Sequence, residues 1–456
     1  MIGKARQIVL ILGDIFFAYF SLFLTIFFRY WGNFSWQTFN LHLLPFSFIY
    51  IFWLFCFYIF DLYNLNLTKR KFLFYPRLFG ALGIGGAFAV IFFYLIPFFG
   101  ITPKTNLVLN ILIFGVLLAL WRRIFFALFS SLAGSPVGIL GLNPKTQELA
   151  KEILKRPYLG YKLKVFFTKR KQKSTLPSLS RIKTLKLDDN LFLKLQKEKI
   201  DTLILGEDIR KDKFLIKTLS KCLGQKISFL SFDRAYEIVT QKIPVTYLDQ
   251  IWFLENLKEG EKRIYDKVKR GIDICLSFFI LLITLPLWFF ISLAIFCEDR
   301  GPIFYRQKRV GKDKKIFWLM KFRSMKPEAE KNGKARWAEK KDSRVTKVGK
   351  ILRRFHLDEL PQMINALKGE ISLVGPRPER PEFVKKLEKE IPYYHLRHII
   401  KPGFTGWAQI KFRYARSVLD SFEKFQYDLY YIKNRSFLFD LSILLKTLQL
   451  FFRKEK

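Results

Sequence analysis

Little in this chain suits thiol redox or zinc chemistry: its 456 residues hold only four cysteines and four histidines. Cys56, Cys222, Cys275 and Cys297 stand far apart, mostly in apolar runs, with no CxxC pair. That excludes a zinc-finger spacing and a disulfide framework and points to a reducing, cytosolic setting. His395 and His398 are three apart on an expected helix, yet no third ligand is spaced to join them, so they read as ordinary histidines. Acid is scarce as well. Asp and Glu number 38 against 78 Lys and Arg, a formal net charge of +40.

What the chain has in plenty is apolar and aromatic surface: it is 50% hydrophobic and 17% aromatic, with 51 Phe. Such composition with such basicity predicts a protein lying in and on an anionic membrane. Nucleic acid is the competing partner for so much positive charge. It is set aside because the basic residues are dispersed between apolar segments and no RNP-type aromatic motif occurs. Apolar runs at Ile8 to Phe28, Leu41 to Phe60 and Leu78 to Phe99 each approach the ~20 residues needed to span a bilayer. A shorter fourth run, Thr105 to Trp121, stops at the basic pair Arg122 and Arg123. Four transmembrane helices are expected, the first too long for a signal-peptide core and without a small-residue cleavage site. Lys4 and Arg6 before the first helix, Lys69, Arg70, Lys71 and Arg77 between the second and third, and the final pair put both ends of the bundle on the cytoplasmic side. Asp14, near the inner end of the first helix, is open to a functional role or to simply reaching the interface.

At Gly134, Ser135 and Pro136 the composition turns ordinary. Strands are predicted at Val137 to Leu140, Leu163 to Phe167, Ile200 to Leu205 and Ile227 to Phe232, with a helix from Lys145 to Leu154. Alternating strands and helices imply a small parallel, Rossmann-like α/β domain. Its first turn, GILGLNP, supplies only Gly138 and Gly141 toward a dinucleotide fingerprint, a weak signal for a bound nucleotide. Farther on, Gly271 to Cys297 is again long enough to span, but both flanks are basic: Lys267, Lys269 and Arg270, then Arg300, Arg306, Lys308 and Arg309. A helix broken at Pro286 that enters the membrane and returns to the same face satisfies both flanks. A fifth spanning helix with a proline kink is the other reading.

The densest chemistry lies in LDELPQ, from Leu357 to Gln362, and in GPRPE, which begins at Gly375. Asp358 is expected to cap a helix that runs through Leu367 and ends at Gly369, with Pro361 tolerated in the first turn. A helix N-terminus favours anions and suits a substrate phosphate. Adjacent helical residues point about 100° apart, so Asp358 and Glu359 cannot share a proton as a dyad. Different tasks follow, one a nucleophile toward phosphorus and the other a ligand for Mg²⁺. The plain alternative is an N-cap beside a solvated acid.

KRGID (Lys269 to Asp273), GPIFYRQKRVG (Gly301 to Gly311), KFRSM (Lys321 to Met325), DSRVTKVGKILR (Asp342 to Arg353), LDELPQMIN, GEISLVGPRPE and PGFTGWAQI (Pro402 to Ile410) together resemble the monotopic phosphoglycosyl transferases. With four preceding membrane helices, the architecture is similar to the large bacterial members that initiate O-antigen, capsule or exopolysaccharide synthesis. The resemblance implies a membrane α-helical bundle (1–133), a Rossmann-like α/β domain (134–250) and a mostly helical monotopic catalytic domain (251–456) with a re-entrant membrane helix at about 264–297. It implies transfer of a sugar 1-phosphate from a UDP-sugar, UDP-glucose or UDP-galactose first, to undecaprenyl phosphate, releasing UMP. Asp358 matches the nucleophile that forms an aspartyl phosphosugar, Glu359 the Mg²⁺ ligand, and Arg377 a substrate-phosphate grip. Arg353 matches a second phosphate-binding arginine and Pro286 the hairpin break. Anionic lipids and a second copy of the chain are the further partners implied, and the bacterial inner membrane, with the catalytic domain on its cytoplasmic face, is the place. One departure is that Leu285 precedes Pro286 where the family commonly has serine, and Thr284 is the candidate to bond a freed carbonyl. Trp407 is open to stacking on a base or to an interfacial position. The closing segment, Ser436 to Phe452, followed by Arg453 and Lys454, is expected either to lie on the membrane or to pack on the domain core.

Two rival classes remain. A nucleotide-sugar glycosyltransferase would release UDP rather than UMP and usually carries a DxD triplet, which this chain lacks. A membrane-anchored nucleotide sensor or scaffold would show no turnover and be indifferent to Asp358.

Overall fold

The structure, a computed structural model, describes residues 2–63, 71–95, 104–130, 134–169, 176–206, 213–222, 227–326, 344–412 and 417–452. Lys69, Arg70, Asp342, Arg453 and Lys454, named above, lie outside the described residues. The chain forms two compact units, Met1–Ala235 and Tyr236–Lys456.

The first unit begins with helices α1 (Ile2–Arg29), α2 (Trp36–Ile59), α3 (Lys71–Leu95) and α4 (Lys104–Ser130). All four are long and apolar enough to cross a membrane. They are apolar inside and out, which suits lipid. Leu22, Phe46, Trp53, Phe57 and Phe114 fill the bundle, while Leu12, Phe16, Phe79 and Leu112 face outward. The side-chain amide of Asn110 donates to Ser21 Oγ at 3.0 Å and accepts from Tyr50 OH at 3.2 Å, pinning α4 to α1 and α2. Two expectations change here. Helix α4 does not stop at Trp121, and Arg122 is not a loop flank: it is buried in an ion pair with Asp14, which is itself fully buried in the bundle. Arg122 Nη1 also donates to Leu62 O at 3.0 Å. A charge inside the bundle persists because its partner and a carbonyl replace water.

The α/β part follows: β1 (Ser135–Leu140), α5 (Pro144–Lys155), β2 (Tyr161–Thr168), β3 (Lys183–Lys186), α6 (Leu191–Lys197), β4 (Thr202–Leu205), α7 (Lys213–Ser220), β5 (Ser228–Ser231) and α8 (Phe232–Thr240). The sheet is parallel, in the order β3-β2-β1-β4-β5. Strand β3 escapes sequence reading because it is a short edge with Lys at both ends and no buried residue. The first turn caps itself. Asn143 Oδ1 accepts from Thr146 N at 3.0 Å and Asn143 Nδ2 donates to Gly206 O at 3.2 Å, while the Thr146 methyl lies against Gly206. One backbone donor of the α5 N-terminus, Thr146 N, is thus engaged by the chain's own cap.

The second unit contains α9 (Gln250–Asn256), α10 (Arg263–Asp299), the antiparallel hairpin β6 (Phe304–Val310) and β7 (Ile316–Phe322), α11 (Lys347–Arg354), α12 (Gln362–Lys368), β8 (Ser372–Val374), α13 (Pro381–Glu390), β9 (Gly403–Thr405), α14 (Trp407–Lys411), α15 (Val418–Asn434) and α16 (Phe437–Phe452). Phe425, Leu429, Ile432, Tyr394, Met363 and Ile443 make its core. Trp407 belongs to this core, with its Nε1 donating to Gln241 O at 3.3 Å, so it neither faces a base nor lies at an interface. Helix α16 buries Ile443 there and leaves Leu438 and Leu448 exposed.

Helix α10 runs for 37 residues with Pro286 inside it. Asp273 and Ser277 are buried on its first half and Ile291 and Ile295 on its second, while Ile283, Leu285, Phe289 and Phe290 between them are exposed. Thr284 does not serve the carbonyl freed by Pro286, which belongs to Leu282. Its Oγ1 donates to Ile280 O at 2.7 Å and accepts from Trp288 Nε1 at 3.3 Å.

Candidate active site

Three elements converge on the acidic turn. Strand β7 delivers Lys321. Helix α11, N-capped by Thr346 through Gly349 N, delivers Arg353, and Gly349 is needed because a Cβ there would stand 2.1 Å from Ser324 O. The chain then reverses at His356, whose φ of 53° is left-handed. Leu357–Glu359 form a single 3-10 turn and α12 starts only at Gln362. Asp358 is therefore not the N-cap of α12: Pro361 stands at that position, and Asp358 makes no capping bond. The end of α12 is as expected, with Gly369 at φ 83°. Leu357 and Leu360 pack with Ile291, Ile295, Phe322 and Leu352, which holds the turn by its apolar residues. Asn365 ties α12 to β7, donating to Trp318 O at 2.8 Å and accepting from Met320 N at 3.0 Å.

Both carboxylates are buried, at 6% and 7% exposure, so each needs compensation. They receive it unequally. Glu359 Oε1 accepts from Lys321 Nζ at 2.8 Å and from Arg377 Nη2 at 2.6 Å. Burial would raise its pKa, but the two cations prevail and hold the carboxyl well below its ordinary range. No hydrogen bond engages the Asp358 carboxylate among the described residues. Burial pushes its pKa up, as does the neighbouring Glu359 charge, against the pull of Lys321, Arg353 and His356. Arg353 Nε is held by Ser324 Oγ at 2.9 Å. The outcome is one acid held ionised by two cations on Oε1 beside one whose carboxylate no hydrogen bond engages among the described residues.

Arg377 stands on a rigid mount. Strands β8 and β9 pair in parallel, and Gly375, Gly403 and Gly406 meet backbone to backbone: a Cβ on Gly403 would fall 2.0 Å from Gly375 N, and one on Gly406 2.2 Å from Gly375 O. This contact explains why GPRPE and PGFTGW both need glycine. Beyond it, four successive carbonyls are gripped. Pro376 O accepts from Gly403 N at 2.8 Å, Arg377 O from Arg397 Nη2 at 2.9 Å, Pro378 O from Arg309 Nη1 at 3.0 Å and Glu379 O from Val310 N at 3.0 Å. The Arg377 side chain remains 37% exposed, leaving donors for a ligand while one end holds Glu359.

Asp358, Glu359 and Arg377 thus come together, with the Arg353 charge within reach of Asp358. Pro286 sits in the exposed apolar stretch of α10. Lys321 and Arg397 were not singled out from sequence. Lys321 lies in the quoted KFRSM, whereas nothing local marks Arg397. His398 is buried and pushed down to about 3 by that burial and by Arg397, and no group of three metal-ligating side chains occurs among the described residues. Mg²⁺ needs no such group, because one or two carboxylates and substrate phosphates commonly suffice. Asp358 and Glu359 Oε2, which neither cation occupies, are hard donors of the right kind, so the residues fit that ion.

A family profile described as "Bacterial sugar transferase" matches residues 264–454. The chain is similar to the UDP-N-acetylgalactosamine-undecaprenyl-phosphate N-acetylgalactosaminephosphotransferase of Aeromonas hydrophila, with 38% identity over 231 residues, 51% of this chain and 54% of that one. It is 44% identical over 182 residues to the UDP-glucose:undecaprenyl-phosphate glucose-1-phosphate transferase of Escherichia coli (strain K12), 40% of this chain and 39% of the relative. A putative undecaprenyl-phosphate N-acetylgalactosaminyl 1-phosphate transferase of Bacillus subtilis (strain 168) is 51% identical over 128 residues, 28% of this chain and 71% of its own. The chain spans about half or less of the length of the first two relatives.

Proposed function

This chain belongs to the bacterial sugar transferase family, and from that membership and the unequal pair of acids we propose that it moves a sugar 1-phosphate from a UDP-sugar to undecaprenyl phosphate. The observation that carries the reading is the buried Asp358 carboxylate, free of hydrogen bonds, beside a Glu359 whose charge is matched by Lys321 and Arg377. A carboxylate poised in this way is a nucleophile. Asp358 attacks the phosphorus that bears the sugar, the bond to the bridging oxygen breaks, and UMP leaves with that electron pair. A phosphate oxygen of the lipid then attacks the aspartyl phosphosugar, restoring the carboxylate and giving undecaprenyl diphosphate sugar. Arg377 and Arg353 hold phosphate oxygens. Mg²⁺, held by Glu359, would neutralise charge on the diphosphate when bound.

The reading also covers location. Both arms of α10 bond to the same unit: Arg270 donates to Ala366 O and Leu367 O, each at 2.6 Å, and Glu298 accepts from Lys347 N at 2.6 Å. With an exposed apolar stretch between such arms, a re-entrant hairpin turning at Pro286 is favoured over a fifth span. The active site then lies on the cytoplasmic face of the bacterial inner membrane, where anionic lipids attract the basic surface. A homodimer is compatible with this arrangement.

The test is incubation of the purified membrane protein with Mg²⁺, undecaprenyl phosphate and UDP-glucose, UDP-galactose or UDP-N-acetylgalactosamine. UMP is the expected nucleotide, and Asp358→Asn abolishes its release. UDP as product, or parental UMP release by Asp358→Asn, overturns the proposal.

A further inference from the structure

Arg397 and Asp428 form an ion pair at 2.9 Å, with side chains only 6% and 3% exposed. Burying two charges costs several kcal/mol per ion, so a pair in such a place is seldom neutral to its surroundings. Asp428 comes from the middle of α15 and Arg397 from a 3-10 turn after α13, Tyr394–His398. Three oxygens fix the orientation of the guanidinium. Its Nη2 pairs with Asp428 Oδ2 and donates to the main-chain carbonyl of Arg377 at 2.9 Å, while Nη1 donates to Tyr394 OH. The carbonyl it grips belongs to the residue whose side chain reaches Glu359. Two prolines flank that residue, and they fix φ on either side without offering an N–H. Of the four gripped carbonyls in this segment, the one on Arg377 itself is held by Arg397, a direct main-chain handle on that residue from the core.

We propose that Arg397, aligned by Asp428, is a positioning residue for the sugar 1-phosphate transfer: it sets the direction of the Arg377 side chain toward the substrate phosphate and Glu359 and touches no substrate itself. The pair uses the geometry of the guanidinium as well as its charge. A lysine at 397 keeps the charge toward Asp428 but cannot hold Tyr394, Asp428 and the carbonyl in one plane. The proposal rests on the reading that Arg377 grips donor phosphate.

A double-mutant cycle tests it on the full chain in lipid nanodiscs, with kcat/KM for UMP release as the readout and the melting temperature measured in parallel. Arg397→Lys is expected to lower kcat/KM about tenfold in the parent, as sub-ångström misplacement of a binding group does. In an Arg377→Ala background the same change costs less than about twofold, because nothing is left to orient. An equal loss in both backgrounds overturns the positioning role and leaves the phosphate grip standing. Parental activity in Arg397→Lys overturns it as well. An Arg377→Ala protein as active as the parent overturns the grip and, with it, the positioning role. If Arg397→Lys does not accumulate as folded protein, the cycle is run with Asp428→Asn, which keeps the shape and an acceptor oxygen, and the same outcomes decide.

Discussion

At the acidic turn two neighbouring carboxylates live in different fields. Glu359 is held below its ordinary range by Arg377 and Lys321 in spite of burial. A depressed carboxylate contributes stability that is present above its unfolded pKa and is lost only as the pH falls toward the folded value, so this contribution persists through mild acid. Burial and the neighbouring Glu359 charge raise Asp358, so under the proposed mechanism the attacking carboxylate ionises at higher pH than an ordinary aspartate. The acid limb of UMP release should report it. Lys321 opposes that rise; removing its positive charge makes the carboxylate harder to ionise. In Lys321→Met the acid limb of kcat/KM therefore moves to higher pH, measured by a pH series of initial rates. An unmoved or lowered limb contradicts this field. Lys321 thus has two effects, one through its bond to Glu359 and one through space on Asp358.

At the scale of elements, α10 is long and apolar enough to cross a membrane and bonds at both of its ends to neighbours of the acidic turn. Its first arm caps the carbonyl end of α12 through Arg270 and bonds Leu373 N through Asp273 at 3.0 Å. Its second arm supplies Glu298 to the start of α11, at Lys347 N and Val348 N, and Asp299 to Arg323. The acidic turn lies between α11 and α12, so the two arms steady both of its neighbours. A straight 37-residue helix would be about 55 Å long, well beyond a bilayer core of ~30 Å. For a hairpin, single cysteines placed at Lys267 and Arg300 in a cysteine-free chain are both labelled by an impermeant maleimide from the cytoplasmic side of inside-out vesicles. Labelling of the two from opposite sides would establish a fifth span instead.

On the scale of the whole molecule, the two compact units carry separate risks. In the first, breaking the Asp14–Arg122 pair strands a buried carboxylate, a loss of about 3–5 kcal/mol for pairs of this kind. Arg122→Leu is accordingly expected to lower the melting temperature of the purified protein while leaving the pH profile of UMP release unchanged, since the acids are set by Lys321, Arg353 and Arg377. A shifted profile would mean that the field at Asp358 depends on the bundle. In the second unit, core residues such as Phe425 and Tyr394 surround the Arg397–Asp428 pair, so its stability and its site geometry are built from the same side chains.

Composition and pattern alone determined that this chain has four long apolar helices, a parallel α/β region and a fifth apolar helix with basic flanks, because burial in lipid and strand alternation act on residues close in sequence. Pattern also brought forward Asp358, Glu359 and Arg377, and the family resemblance added Arg353. Tertiary structure decided what those residues experience. Only the fold brings Lys321 and Arg377 onto one oxygen of Glu359, from 38 and 18 positions away, and moves Asp358 from a helix cap to a free carboxylate in a 3-10 turn. Only the fold pairs Asp14 with Arg122 and seats Arg397 on the carbonyl of Arg377, across 108 and 20 positions. The physical reason is common to all of them: a charge in a dry interior is governed by its nearest partners, and the order of residues along the chain does not say which partners those are.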